Sequence, residues 1–164
     1  MQLSVNEVES IDFEDKSVKN KLAIFMWLYV SLTSLFLIFV ISLLKKVFGR
    51  ERPTRIKEKY RLCNMRKLEH HKSFPSGDAS AAAFFLGIYV HVFGMNPIFM
   101  IIITLFVSLG RVYVFCHWIG DTVAGSILGS TVVYFLFSKA YFGSIAKPLL
   151  VLFAKLTNLG IDFD

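Results

Sequence analysis

Three groups of residues in this chain could act on an anion. His117 and Asp121 stand at i and i+4, a spacing that puts both on one helix face. There a carboxylate can accept an imidazole N–H, fix the tautomer and raise the nucleophilicity of the ring. Arg111 precedes His117 by six residues and offers a planar fork for phosphate oxygens. The run Phe74-Pro75-Ser76-Gly77-Asp78 reads as a tight turn opening a helix, capped by Ser76 or Asp78, with first-turn N–H groups available to an anion. The third group, Lys45 to Pro53, carries Lys45, Lys46, Arg50 and Arg52. Each group alone has an ordinary explanation: a helical ion pair, an N-cap and a basic membrane flank.

The elements that must position these groups are apolar. Hydrophobic residues make up 55% of the 164 residues, charged residues 18%, and Phe alone accounts for 17. Soluble domains average about 45–50% and 25% for the two classes. The apolar residues are bunched into runs, and a spanning helix needs about 20 of them. The sequence predicts spans at about 22–44, 79–93, 97–115 and 119–137, with a short apolar stretch from Pro148 to Leu159 as a C-terminal helix. The expected fold is therefore all-α, an integral membrane helical bundle of about four spans. A polar segment, 1–20, precedes a membrane core over 21–159, and a tail, 160–164, follows it. Pro97 is placed to open the third span. Gly125 and Gly129 form a GxxxG pair suited to close helix contact.

Counting spans places Lys45–Arg52, Ser73–Asp78 and Arg111–Asp121 at one membrane face. The net charge is +6, and eleven of the eighteen Lys and Arg lie between Lys45 and Lys72, in the predicted loop 45–73. A basic loop between spans points to phosphates or lipid head groups, and no nucleic-acid-binding module is present. The positive-inside rule would set this face in the cytoplasm, unless the loop is basic because it binds phosphate. Cys63 and Cys116 show no metal spacing and read as two thiols, a disulfide requiring the loop to fold over His117. The N-terminal segment, with Glu7, Glu9, Asp12, Glu14 and Asp15, has neither signal-peptide nor transit-peptide character, so the first span is expected to drive insertion. His70 and His71 are expected to face solvent, and His91, inside a span, to be structural packing.

Taken together and in this order, Lys45 with Arg52-Pro53, then Pro75-Ser76-Gly77, then Arg111, His117 and Asp121 resemble the three-motif signature of the type-2 phosphatidic acid phosphatase and haloperoxidase superfamily. The resemblance spans Lys45 to Asp121. It implies that His117 attacks phosphorus to form phosphohistidine and that Asp121 orients it. It also implies that Lys45, Arg52, Ser76, Gly77 and Arg111 hold the phosphoryl oxygens, with no metal or other cofactor. The implied substrates are phospholipid, sphingoid-base phosphate or isoprenyl diphosphate. The end-to-end apolar character disfavours the soluble haloperoxidase branch. An endoplasmic reticulum or other internal membrane is the expected location.

Two positions depart from the pattern. Gly110 stands where the family has serine, losing a hydroxyl donor. Asp78 stands where the family has a histidine that protonates the leaving oxygen, a function worth about 10²–10⁴-fold. As a carboxylate, Asp78 would repel a phosphate anion, or pair with Arg111 or Lys45 across the empty site. A diphosphate, whose leaving group is already a stable anion, would suffer less. Membrane members usually carry six spans, and against that pattern this sequence shows one span before the first motif, two fewer than the resemblance implies. This favours a homo-oligomer or a larger membrane complex, and keeps open a catalytically impaired structural or lipid-binding subunit.

Overall fold

The computed structural model describes residues 16–53, 72–137, 146 and 148–153, all helix or connection, with no strand among them. Four helices follow in order: α1 (Lys16–Phe48), α2 (Gly77–Phe93), α3 (Pro97–Tyr113) and α4 (Ile119–Phe137). Cys63, His70 and His71, and most of the basic loop, lie outside the described residues. The chain divides into two units, residues 36–137 and a second made of 1–35 with 138–164.

Within the second unit, Phe25 stacks on Tyr29 with ring centroids 6.1 Å apart and meets Phe153 at 5.7 Å. Residues 148–153 are helical, in the short apolar stretch expected there.

α1 runs six residues further at its start and four at its end than the apolar run 22–44. Lys and Asn do not break a helix, so polar flanks extend it beyond the hydrocarbon. Its segment Asn20–Phe48 and the whole of α4 are long and apolar enough to cross a membrane. α2 and α3 are apolar helices of 17 residues each, at the short end of the spanning range. Large apolar side chains such as Phe39, Phe85, Phe106 and Ile127 are exposed along every helix. A soluble monomer rarely shows so continuous an apolar surface, whereas hydrocarbon accommodates it. The fold is an all-α membrane bundle.

Local chemistry sets the helix ends. Ser76 caps α2, its Oγ accepting from the Ala79 N–H at 3.4 Å. Gly94, left-handed at φ 66°, closes α2 by donating its N–H to the Tyr89 carbonyl. Asn96 caps α3 through Ile98 N–H at 2.9 Å, with Pro97 at the first helical position. His91 turns back on its own helix, Nδ1 lying 2.9 Å from the Gly87 carbonyl, with its ring edge against Tyr134.

α2 packs most extensively on α4, and glycine makes this possible. A methyl at Gly125 would strike the Ser76 carbonyl oxygen, and one at Gly129 would strike the Ser80 carbonyl oxygen. The backbones therefore approach as closely as the GxxxG pair suggested. This seam fixes the Ser76 turn against the start of α4.

Candidate functional site

The site lies in the unit 36–137, where three connecting stretches meet. Beyond α1, Gly49 turns left-handed at φ 56° and sends Arg50, Glu51 and Arg52 across the face. The Ser73 N–H donates to the Arg50 carbonyl at 2.8 Å, and its Oγ donates to the Glu51 carbonyl at 3.0 Å. Lys45 Nζ donates to the Lys72 carbonyl at 2.7 Å. These bonds tie the two ends of the basic loop together. The Phe74–Pro75 peptide is cis, and Ser76 N–H donates to the Asp121 carbonyl at 2.9 Å.

His117 is 2% exposed and lies in the connection between α3 and α4. The expectation that His117 and Asp121 share a helix face is therefore corrected: α4 begins at Ile119, and only Asp121 is on it. The i,i+4 geometry applies inside a helix, and His117 stands outside one. The two side chains still face each other, with Nδ1 3.7 Å from Asp121 Oδ2, too far for a hydrogen bond. Phe115 produces this turn by adopting φ 59°, a strained left-handed conformation for a bulky residue. The turn aims the Cys116 carbonyl at Arg52, which donates to it at 2.6 Å. Cys116 is a buried thiol, its Sγ 3.8 Å from the Val114 carbonyl oxygen.

The second ring nitrogen, Nε2, lies 3.3 Å from Arg52 Nη1. A guanidinium only donates, so the tautomer that fits has its proton on Nδ1, towards Asp121, and a lone pair on Nε2. Burial pushes the His117 pKa down to about 4, and Arg52, Lys45 and Arg111 add to that shift, while the Ser73 backbone opposes it. At neutral pH the ring is an uncharged base surrounded by cations.

Asp121 is fully buried and has several partners. Its Oδ2 accepts the Trp118 N–H at 2.9 Å, as an acidic residue at the third helical position does in a capping box. Its Oδ1 pairs with Arg50 Nη1 at 3.0 Å. Arg50 also lies over the Trp118 ring at 5.7 Å, and Trp118 Nε1 donates to the Glu51 carbonyl at 3.0 Å. Arg50 and Trp118 were not among the sequence-derived site residues. The only sequence signal for Arg50 was its place in the basic run.

The remaining sequence-derived residues divide by position. Arg52 and Ser76 are buried, Lys45 is half-buried, and Gly77 opens α2 with room for a side chain around it. Asp78, 55% exposed, sits 2.7 Å from Arg111 Nε through its Oδ2. This is an ion pair rather than an aligned hydrogen bond. Gly110, one residue before Arg111, has open space where a Cβ would stand. Among the described residues, no three His, Cys, Asp or Glu gather as a metal site would require.

A buried neutral histidine, a carboxylate behind it and Lys45, Arg52 and Arg111 around it can perform nucleophilic attack on an anionic centre. The PAP2 superfamily model matches residues 25–143, which contain every residue of this cluster. The chain belongs to the PAP2 superfamily. Comparisons with curated proteins and with solved structures find no match. The PAP2 assignment carries a phosphatase-type family to this chain, and the described arrangement lies wholly inside the matched segment.

Proposed function

We propose that this PAP2 chain is a membrane lipid phosphate or diphosphate phosphatase working through a phosphohistidine. The observation that carries the reading is the His117 ring, with Nδ1 turned to Asp121 and Nε2 turned to Arg52. The Nε2 lone pair attacks phosphorus, and the bond from phosphorus to the lipid oxygen breaks, its electron pair leaving on a lipid monophosphate or on an alkoxide that takes a proton from water. The ring becomes cationic as the N–P bond forms, and the Asp121 carboxylate stabilises that charge. Arg52 exchanges its contact with Nε2 for a phosphoryl oxygen, joined by Lys45 and Arg111. Ser76, Gly77 and the first turn of α2 complete the cradle. Water then attacks phosphorus and returns the electron pair to Nε2.

One observation favours a second reading. Asp78 occupies Arg111 in the resting site, an arrangement suited to a catalytically impaired member that holds anionic head groups as a structural or lipid-binding subunit. The two readings separate on phosphate release by purified protein in detergent, wild type against His117→Ala, with phosphatidic acid and farnesyl diphosphate side by side. The phosphatase reading expects release that falls at least about 1,000-fold in the variant, as loss of a nucleophile does. Release no greater than that of His117→Ala from either lipid would leave the subunit reading.

A further inference from the structure

We propose that the lysine-lined cavity at the end of α1 is a subsite for the second phosphate of a lipid diphosphate. The cavity has a volume of about 710 Å³ and is lined by Ser42, Lys45, Lys46, Gly49 and Lys72. Among the described residues its lining includes three lysines and one serine. Among the described residues, Lys72 Nζ lies 3.9 Å from Glu51, whose carboxylate is itself largely exposed. Lys45 belongs both to this cavity and to the surroundings of His117, where its charge is felt by the ring. The bond from Lys45 Nζ to the Lys72 carbonyl joins the two sides of the cavity. Leu43 and Phe39, about one and two turns back along α1 from Lys46, are exposed apolar surface for a lipid chain.

A second observation, independent of the cavity, points the same way. Departure of a simple alkoxide requires a proton donor. Asp121 is buried behind His117 and paired with Arg50, and the Asp78 carboxylate at the start of α2 is committed to the Arg111 guanidinium at 2.7 Å. In that pairing the carboxylate serves as acceptor to the guanidinium and is turned to Arg111. A leaving phosphate is different, because it is stable as an anion and is held by cations instead of by a proton.

Resting on the phosphatase reading above, the step is as follows. Nε2 of His117 bonds to the terminal phosphorus, and the bond to the bridging oxygen breaks. Its electron pair leaves on the lipid monophosphate, whose charge Lys45, Lys46 and Lys72 receive. Water then adds to the phosphorylated ring. The N–P bond breaks, neutral His117 is restored, and dihydrogen phosphate departs and loses a proton to solvent.

The test compares farnesyl diphosphate with farnesyl monophosphate on the purified full chain in detergent. The diphosphate is expected to have the higher kcat/KM by about 100-fold or more, the lower end of what a general acid is worth. Lys46→Ala, at an exposed position, is expected to shrink that ratio at least about 5-fold, roughly the loss of one charge contact near a surface. Equal rates on the two lipids would overturn the subsite and leave the phosphatase reading standing. A second measurement does not depend on turnover: calorimetric binding of imidodiphosphate and of inorganic phosphate to His117→Ala. The first is expected to bind about 10-fold more tightly, with the margin lost on adding Lys46→Ala. Absence of that margin overturns the subsite whatever the turnover. A margin in a protein that hydrolyses neither lipid keeps the subsite and retires the phosphatase reading. Tight binding of inorganic pyrophosphate without any effect of farnesyl diphosphate on it would overturn the lipid assignment.

Discussion

The two faces of α4 are built on different rules. Towards α2 the small residues are glycines, and the backbones touch through Gly125 against Ser76 and Gly129 against Ser80. Towards α3 the small residues are hydroxylic: Thr104 and Ser108 on one side, Thr122, Ser126 and Ser130 on the other. There the helices stand apart around an open groove of about 350 Å³. The tight seam carries the groups that must hold still, because Ser76 and Asp121 are bonded across it through their backbones. Arg111 ends α3, the helix that borders the loose seam, and must exchange Asp78 of α2 for substrate if the site is to turn over. Glycine gives register and immobility, whereas a hydroxyl-lined gap leaves room for adjustment.

The strongest way to break this contrast is to fill the tight seam. Gly129→Val would drive side-chain carbons into the Ser80 backbone, which cannot rotate away as a side chain can. The expected outcome is loss of monodisperse protein on size exclusion in detergent. Gly125→Ala, against the Ser76 carbonyl, should cost about 1–3 kcal/mol by overpacking and displace the turn that caps α2. Its melting temperature should fall, and turnover should fall with it.

Next in size is Arg50→Gln. It removes the cation paired with Asp121 while leaving the capping bond from Trp118 in place. As a positioning residue, Arg50 should act mainly on kcat, lowering it about 10-fold with KM little changed. Arg50→Lys should recover part of the loss, because charge returns without the planar fork. An equal drop in melting temperature for both variants, with kcat intact, would make the pair purely structural.

The pH dependence sharpens the same picture. His117 must be neutral to attack, and its pKa is lowered to about 4 by burial and by Arg52, Lys45 and Arg111. The acid limb of kcat/KM is therefore expected near pH 4 rather than near the ordinary histidine value of about 6.5. The sign for stability follows from linkage. The unfolded chain binds a proton at His117 below about pH 6.5 that the folded chain refuses until about pH 4. This contribution is complete above pH 6.5 and is lost as pH falls through that window. An acid limb at pH 6–7 that belonged to His117 would refute the described surroundings.

The smallest expected effect is on the loose seam. The Thr104 hydroxyl is buried without a hydrogen-bond partner. Thr104→Val keeps the shape and removes the unsatisfied group, so it should raise stability by about 1 kcal/mol at most. The check is a thermal melt in detergent, and a clear destabilisation would show that the hydroxyl has a structural task.

Much of the scaffold was legible in the sequence because lipid imposes simple rules. The last helix fell at 119–137 as read from its apolar run, and Ser76 and Pro97 marked helix starts through local chemistry. The third helix ended two residues early, at Tyr113, since no pattern announces a phenylalanine at φ 59°. The convergence of Lys45, Arg52, Ser76, Arg111 and His117 followed from counting spans. The partners within that convergence did not. Arg50 with Asp121 and Trp118 with Glu51 join positions separated by most of the core, and no periodicity encodes such pairs. The Asp78 and Arg111 pairing was one alternative among several until the distance selected it.

Asp121 starts a helix, neutralises an arginine and stands behind the histidine, all with one carboxylate. The His117 ring starts no helix and pairs no charge; it lies between Arg52 Nη1 at 3.3 Å and Asp121 Oδ2 at 3.7 Å. A survey of variants scored by how much protein accumulates in the membrane would thus single out Asp121 and pass over His117. The same survey scored by product formed would rank the two positions alike. Position 121 therefore has no route of gradual change in which the chain keeps its abundance and surrenders only its chemistry, whereas position 117 has one open at every step.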